Sequence, residues 1–456
     1  MGAGMAEHVP LLIVGAGPAG LAAADTALSH GHAVMLLDEQ PGPGGQIYRN
    51  IAGSDEQRKG ILGPDYAHGE GLLGVLGRDG FEYCPGATVW EVTPERAVHF
   101  TQAGRARAVT ADRILLATGA MERPMPFPGW TLPGVMTCGA AQIMLKQGGL
   151  VAEGAVLAGS GPLLLLLATQ LLDAGAPIGA IVETTPAGNY LAASRRLPHA
   201  LLAREYLRKG MTMMSALRRS GIPWYKGASG LQALGADRVE ALRFKDGGKS
   251  RELPCGLLLL HQGVVPNVQI TRSLRLDHDW DRLQRAWRPR LDAWGETSLP
   301  GIFVAGDGGG IVGAKASALQ GRLAALRAID APAGEATPLR RALARELAIR
   351  PFLDRLYRPA AEFLRPADGT VVCRCEGVTA GEIRAYVRIG CLGPNQAKAY
   401  SRAGMGPCQG RVCGLSVSEI IAEARGVSPG DVGYYRIRTP IKPVTLGELA
   451  ALADEE

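Results

Sequence analysis

Aromatic side chains are scarce in this chain of 456 residues, with seven Phe, six Trp and eleven Tyr, while glycine is abundant at 62. Few aromatics among many small and apolar residues is the profile of an α/β protein of β-branched strands, Ala/Leu helices and Gly-rich turns. Concentrated charge is missing too. The net charge is +6, and the Lys and Arg residues are scattered without interleaved aromatics, which leaves a nucleic-acid role without support. No apolar run reaches the about 20 residues that a spanning helix needs. The nearest approach, PLLLLLATQLL from Pro162 to Leu172, closes at Asp173 and predicts a buried helix. The N-terminal MGAGMAEHVPLLIVGAG has no basic region ahead of its apolar run. That run enters a Gly-rich turn where a signal peptide would have its cleavage site, so a cytoplasmic chain with no integral membrane segment is expected. No low-complexity tract is present.

The length allows two or three domains of ordinary size. Residues 10–38 read as strand, Gly-rich turn, helix and strand, with LLIV and AVMLL as buried strands around the helix formers GLAAADTAL. Gly15, Gly17, Pro18, Ala19 and Gly20 form the turn between the first strand and the helix. In this context Gly15 permits the tight turn, Gly17 lets the backbone approach a pyrophosphate, and Gly20 lets the helix pack close to the strand. Asp38 ends the second strand, where it can accept hydrogen bonds from a ribose, and Glu39 is the alternative acid. A dinucleotide site is predicted.

The same cadence returns at residues 155–183, but Gly159, Ser160 and Gly161 are followed by Leu164 at the third glycine position. A branched side chain there pushes the helix off the strand or blocks the pyrophosphate, although Glu183 at the strand end could hold a ribose. Three readings stay open for this unit: NAD(P), another adenine nucleotide such as ATP, or a purely structural role. In HQGVVPN (261–267), His261 is expected to be a strand residue before a catalytic base. Cys138 in MTCGAA has no CxxC or CxxxxC partner, so a dithiol relay has nothing to act with.

These units predict a discontinuous first domain (8–125 and 290–332), a second nucleotide-binding-like domain (126–289), a helical connector (333–366), a cysteine-bearing module (367–430) and a docking tail (431–456). Within the module, Thr379 with Glu382 and Ser416 with Glu419 read as helix starts, and Gly390 and Gly426 as helix stops. The Pro-punctuated tail is expected on another surface.

Four of the eight cysteines fall within 41 residues, as Cys373-x-Cys375 and, 32 residues on, Cys408-x4-Cys413. Four thiolates from one small module suit zinc or a [2Fe–2S] cluster. Gly404, Gly406, Gly410 and Gly414 favour the cluster, because they let backbone N–H groups reach sulfur. Arg374, Lys398, Arg402 and Arg411 favour it as compensation for an anionic centre. Cys391 is expected to be packed, and free thiols remain the third reading.

RILLATGA (113–120), with Thr118 and Gly119, and GIFVAGDGGG (301–310), with Gly306 and Asp307, resemble signatures of the two-dinucleotide-binding-domain flavoproteins. GGQIYR (44–49), with Gly45 and Gln46, is similar to the segment where backbone amides meet the cofactor in that family. The resemblance implies FAD, with Asp307 on the ribityl chain and the next helix N-terminus facing the isoalloxazine. VVCRCEGVT and GMGPCQGRVCG resemble the iron–sulfur module named for bacterioferritin-associated ferredoxin, with the wider second spacing of larger enzymes.

Together with LLDEQPGPGGQIYR, MTCGAAQ and AGSGPLLLLLA, these segments resemble the α subunits of bacterial heteromeric FAD-dependent amino- and imino-acid dehydrogenases, of the opine oxidase, D-hydroxyproline dehydrogenase and hydrogen cyanide synthase type. The fold class implied is α/β, a two-dinucleotide-binding-domain flavoprotein with a small helical [2Fe–2S] domain. In such complexes a D-amino-acid-oxidase-like β subunit oxidises the C–N bond, a small ferredoxin-like γ subunit can accompany it, and FMN can lie at the interface between subunits. The alternatives are a self-sufficient NAD(P)H:acceptor oxidoreductase that passes electrons from FAD to [2Fe–2S], and a scaffold with zinc in its cysteine module.

Overall fold

The computed structural model describes residues 7–453. The first six residues of the N-terminal segment and the last three of the tail lie outside the described residues.

The strand Glu7–Val14 pairs in parallel with Val34–Asp38 on one side and with Arg105–Leu116 on the other. The runs Leu11–Val14 and Val34–Asp38 are buried along their whole length, as strands covered on both faces must be. Arg105–Leu116 serves two further partners. Its first half runs antiparallel to Ala97–Gln102, and its last three residues pair in parallel with Ile302–Val304. The returning strand, some two hundred residues downstream, completes the first sheet. It also delivers the helix Ala314–Ala328 onto the helix Pro18–Ser29. The two helices touch at their backbones: a Cβ on Gly321 would fall 2.0 Å from the Ala19 carbonyl oxygen.

A second parallel sheet runs in the order Trp224–Lys226, Ile178–Glu183, Ala155–Gly159, Leu258–His261, Val135–Thr137. The leucine-rich segment is the helix Pro162–Asp173, and Leu164, Leu167 and Leu171 are buried against this sheet. Among the described residues no helix is long and apolar enough to cross a membrane. Helices Ala336–Leu347, Arg350–Leu356 and Ala361–Leu364 lead to the cysteine module.

In that module the helix Ala380–Arg388 starts at a complete Thr379–Glu382 capping box. The second expected start is corrected. The helix is Gly414–Arg425, so Ser416 and Glu419 lie inside it and are buried. Glu419 accepts from Arg285 Nε at 3.0 Å, and this ion pair, not a cap, accounts for an acid at that spacing. Gly426 ends the helix in the left-handed conformation.

The tail also departs from expectation at its start. Tyr435 and Ile437 are buried in the same core as Cys413, Val417 and Ile420, so the chain just beyond 430 completes the module. Side chains on Gly404 and Gly410 would meet the Tyr435 ring at 2.6 and 2.5 Å. From Thr439 the tail crosses to the first domain, where Thr439 Oγ1 donates to Glu91 at 2.6 Å and the Ile441 N–H donates to the Trp90 carbonyl at 2.9 Å.

Candidate cofactor sites

The first glycine turn is held from all sides but one. Gly15 has φ +110°, and a Cβ there would lie 2.5 Å from the Ala117 carbonyl oxygen. A Cβ on Gly20 would lie 1.9 Å from the Gly15 oxygen, so both glycines are dictated by the strand and the turn. Gly17 differs: its Cβ would meet nothing closer than the Gly45 Cα at 3.9 Å. Space is therefore kept open at the N-cap of Pro18–Ser29, where Pro18 occupies the first turn and no side chain caps the free N–H groups. An open, uncapped helix N-terminus beside a glycine is a cradle for phosphate.

The other expected residues of this site converge on it. Gly45, with φ +61°, lies against Gly17, and the Gly44 N–H donates to the Ala16 carbonyl at 2.8 Å. Gly306 abuts Ala19, and Gly308 abuts Thr118. The Gly119 carbonyl accepts from the Asn267 N–H at 3.0 Å, which ties the turn to the second domain. Asp307 accepts from the N–H groups of Val312 and Gly313 at 2.7 and 2.9 Å through one oxygen, bracing the turn before Ala314–Ala328. Gln46 is exposed, and its carbonyl accepts from Lys146.

Asp38 is engaged within the turn itself. Its carboxylate accepts from the Ala16 N–H at 2.5 Å and the Gln40 N–H at 2.7 Å. Burial raises its pKa, against those bonds and the nearby Arg49 charge. Glu39, at the outer end of the strand, is exposed and pairs with Lys442 of the tail at 2.7 Å.

Three cations here escaped the sequence reading. Arg49 is buried at 5% exposure, hydrogen-bonds Gln40, and keeps its Nε without a partner. Lys146 is 3% exposed and donates to the carbonyls of Gln46 and Ile47 at 3.1 and 2.8 Å, and burial lowers its pKa to about 7. One signal was available: Lys146 is the single charge in the segment CGAAQIMLKQG. Lys442 stood too far along the chain for any local pattern to link it to Glu39.

The second glycine turn is filled by protein. A Cβ on Gly159 would lie 1.8 Å from the His261 carbonyl oxygen, and one on Gly161, at the position matching Gly17, would lie 2.8 Å from His261 Nε2. His261 sits in its strand at 3% exposure, with Nδ1 2.7 Å from Glu122 Oε1. Glu122 Oε2 accepts from the Gly139 N–H at 2.8 Å. Glu183, expected to be available to a ribose, has both oxygens occupied by Tyr190 Oη at 2.5 Å and Trp224 Nε1 at 3.1 Å. Cys138 is fully buried, and burial raises its pKa well above the usual thiol range.

The clustered cysteines meet two by two. Cys375 and Cys408 stand 3.7 Å apart, and Cys413 shares a hydrogen bond with Cys373. Among the described residues no group of three or more His, Cys, Asp or Glu side chains is placed to hold one metal ion. The Cys373 pKa falls to about 6, through the Cys413 thiol and then the N–H groups of Gly404, Glu376 and Cys375. Gly406 lets the loop close on Cys375, where a Cβ would fall 2.3 Å from that residue's own Cβ. Of the four expected compensating cations, Lys398 lies 5.0 Å from the Tyr435 ring centre beside Cys413, and Arg411 donates to the Ile441 carbonyl. Arg402 is paired with Glu376 at 3.1 Å. Arg374 is exposed and lies over the Trp130 ring at 5.4 Å, a contact that joins the module to the second domain. Cys391 is packed, with Sγ 3.3 Å from the Gly393 carbonyl oxygen.

Residues 9–321 match the pyridine nucleotide-disulphide oxidoreductase family. The chain belongs to that family. As a FAD-dependent oxidoreductase it has relatives that match along almost its whole length. It is 44% identical to an opine oxidase subunit from Rhizobium meliloti, over 98% of this chain and 88% of that one. It is 34% identical to hydrogen cyanide synthase subunit HcnB of Pseudomonas aeruginosa, over 97% and 99%. Residues 369–453 of the oxidoreductase match the sarcosine oxidase A3 domain, a span that includes the tail. Among solved structures, L-proline dehydrogenase from P. horikoshii superposes with a TM-score of 0.73 at 20% identity, covering 97% of this chain and 79% of that one, which shows a shared fold.

Proposed function

We propose that this oxidoreductase is the electron-transferring α subunit of a heteromeric dehydrogenase. In the complex, a D-amino-acid-oxidase-like β subunit oxidises the C–N bond of an amino or imino acid of the D-hydroxyproline, opine or glycine type. A small ferredoxin-like γ subunit can accompany them. FAD lies at the first glycine turn, and Cys373, Cys375, Cys408 and Cys413 hold a [2Fe–2S] cluster. The names of the relatives, each one part of an oxidase or synthase with several subunits, support the assembly.

One contrast carries the reading of the nucleotide sites. At Gly17 the space a side chain would fill is open, whereas at Gly161 the His261 ring takes it. The buried Arg49, with its unpartnered Nε, adds positive charge near the open turn. The second unit is then a scaffold, with its ribose acid spent on Tyr190 and Trp224.

The spacing of one cysteine pair supports the cluster. Two thiolates on one tetrahedral metal, with metal–sulfur bonds of about 2.3 Å, stand roughly 3.8 Å apart. Cys375 and Cys408 are at 3.7 Å. Two separate pairs suit a binuclear centre, one pair to each iron. Bound together, the two groups supply a step from two-electron to one-electron transfer. The chain's own part is to aim the N–H groups of Gly404, Glu376 and Cys375 at the Cys373 sulfur, to keep Cys413 dry behind Tyr435, and to leave Cys375 at the surface.

The test is to purify the chain with its native partners, record the visible spectrum, and add D-hydroxyproline, opines, glycine and NADH in turn. Bleaching by one of the amino or imino acids and not by NADH is expected. Bleaching by NADH alone replaces this reading with a self-sufficient NAD(P)H:acceptor oxidoreductase.

A further inference from the structure

The crossover between the paired strands Ile178–Glu183 and Trp224–Lys226 is long and leaves several large apolar side chains exposed. It holds the helices Ala187–Ser194, Leu197–Ala200 and Arg204–Arg219. Its inner side rests Ala200 and Ala203 on Ile349 of the connector. Its outer side exposes Leu191 at 70%, Leu202 at 67%, Met211 at 60% and Leu201 at 57%. These are large apolar side chains within one short segment, where scattered single exposures are the norm.

The charge on this face is one-sided. Residues 187–219 contain seven Lys and Arg against the single acid Glu205. Among the described residues only Lys209 of these cations finds a carboxylate, Asp65, and Glu205 is taken by Lys315. The same crossover walls a hollow of about 460 Å³ with Arg195, Arg196 and Ala192, together with Arg355 of the connector and Leu283. Three elements separated in sequence thus contribute to one concave surface with three guanidinium groups and no acid on its walls.

We propose that this face is where the β subunit docks, and that this partner presents carboxylates set among apolar side chains, with an acidic group seated in the arginine hollow. This rests on the heteromeric reading above and names the surface that reading requires. An apolar centre with unsatisfied charge around it gives both affinity and orientation, since Arg pairs carboxylates bidentately. A second copy of this chain fits poorly, because it would bring the same cations face to face. A flat bilayer does not fill a hollow.

The experiment compares the native complex formed by the wild-type chain with those formed by R195E/R196E and by L201S/L202S. Flavin absorbance and the thermal midpoint report that each variant has folded. The wild type is expected to keep its partner subunits through gel filtration and to lose them as salt is raised. Each variant is expected to bind them at least about tenfold more weakly. A complex that both variants retain at wild-type affinity overturns the docking face and leaves the heteromeric reading standing. A wild-type chain that runs without any partner overturns both. Two further results also overturn the proposal: wild-type binding to phosphatidylglycerol vesicles that R195E/R196E loses, or a homodimer that R195E/R196E dissolves.

Discussion

Lys442 Nζ stands 2.7 Å from Glu39 Oε2, joining the tail to the residue just beyond the strand that carries Asp38. Asp38 already accepts from the Ala16 and Gln40 N–H groups, so we propose Glu39, whose partner Lys442 comes from the tail, as the acid that meets a ribose at the first turn. Replacing Glu39 with Ala should weaken FAD retention by about 1.5–3 kcal/mol, the scale of a hydrogen bond to a charged group. Asp38→Ala should instead lower the thermal midpoint, because two backbone N–H groups lose their acceptor. Dialysis followed by flavin fluorescence and thermal melts separates the two effects; wild-type retention in the Glu39 variant would return the ribose to Asp38.

Gly17 and Gly20 should respond to the same small change in opposite ways. Gly20→Ala places a Cβ 1.9 Å from the Gly15 oxygen, so helix and turn must part and the chain should fail to fold or lose several kcal/mol of stability. Gly17→Ala meets no protein atom within 3.9 Å, so that variant should fold with a near-normal melt yet purify without flavin. A yellow Gly17→Ala protein would show that the open space serves something else.

The strand–turn–helix units, the first capping box and the cysteine spacing were legible because each is a local pattern set by backbone geometry. What was not legible depended on distant partners. The glycines of the second motif look like phosphate-binding glycines in sequence, but His261, about a hundred residues away, is what they accommodate. Glu419 fits a helix start by its spacing and is an ion-pair partner of Arg285 in space. The glycines around Cys408 read in sequence as room for backbone–sulfur contacts, yet Gly404 and Gly410 equally make room for Tyr435, which the sequence places in the tail.

Acid should destabilise the protein through His278. Burial, and then the charge of Arg272, lower its pKa to about 3 from 6.5, and it is held by the Leu276 carbonyl at 2.7 Å and Thr271 Oγ1 at 2.9 Å. Between those values the unfolded chain takes up a proton that the folded chain refuses, so the contribution is complete above pH 6.5 and is lost progressively as pH falls towards 3. His278→Gln should flatten that part of the stability–pH curve. Urea melts from about pH 7 to about pH 4 on both proteins would decide it, and parallel curves would remove His278 as the cause.

Cys375 and Cys408, at 3.7 Å, should be equivalent in their loss and distinct from Cys391, whose Sγ faces the Gly393 carbonyl. Serine at either of the pair should remove iron and acid-labile sulfide and leave the flavin spectrum in place. Cys391→Ser should keep the iron content and cost only packing stability. Iron retained by the Cys408 variant would dissolve the proposed ligand set.

Lys398 and Arg374 make the electrostatic side of that assignment measurable. Lys398 lies over the Tyr435 ring, and Tyr435 Oη is 3.9 Å from Cys413 Sγ, so its charge stands close to the proposed cluster in partly buried surroundings. Reduction adds negative charge that a nearby ammonium stabilises, so Lys398→Met should lower the cluster potential by on the order of 50 mV, from a unit charge several ångströms away in a medium of intermediate dielectric. Arg374 is nearer in sequence but exposed, with its guanidinium on Trp130, so solvent screens it. Arg374→Glu should therefore shift the potential less than Lys398→Met and should chiefly loosen the module from the second domain, seen as faster proteolysis near residue 366. Redox titration of the visible spectrum orders the two shifts, and a larger effect from Arg374 would favour the compensating role that its place between two cysteines implies.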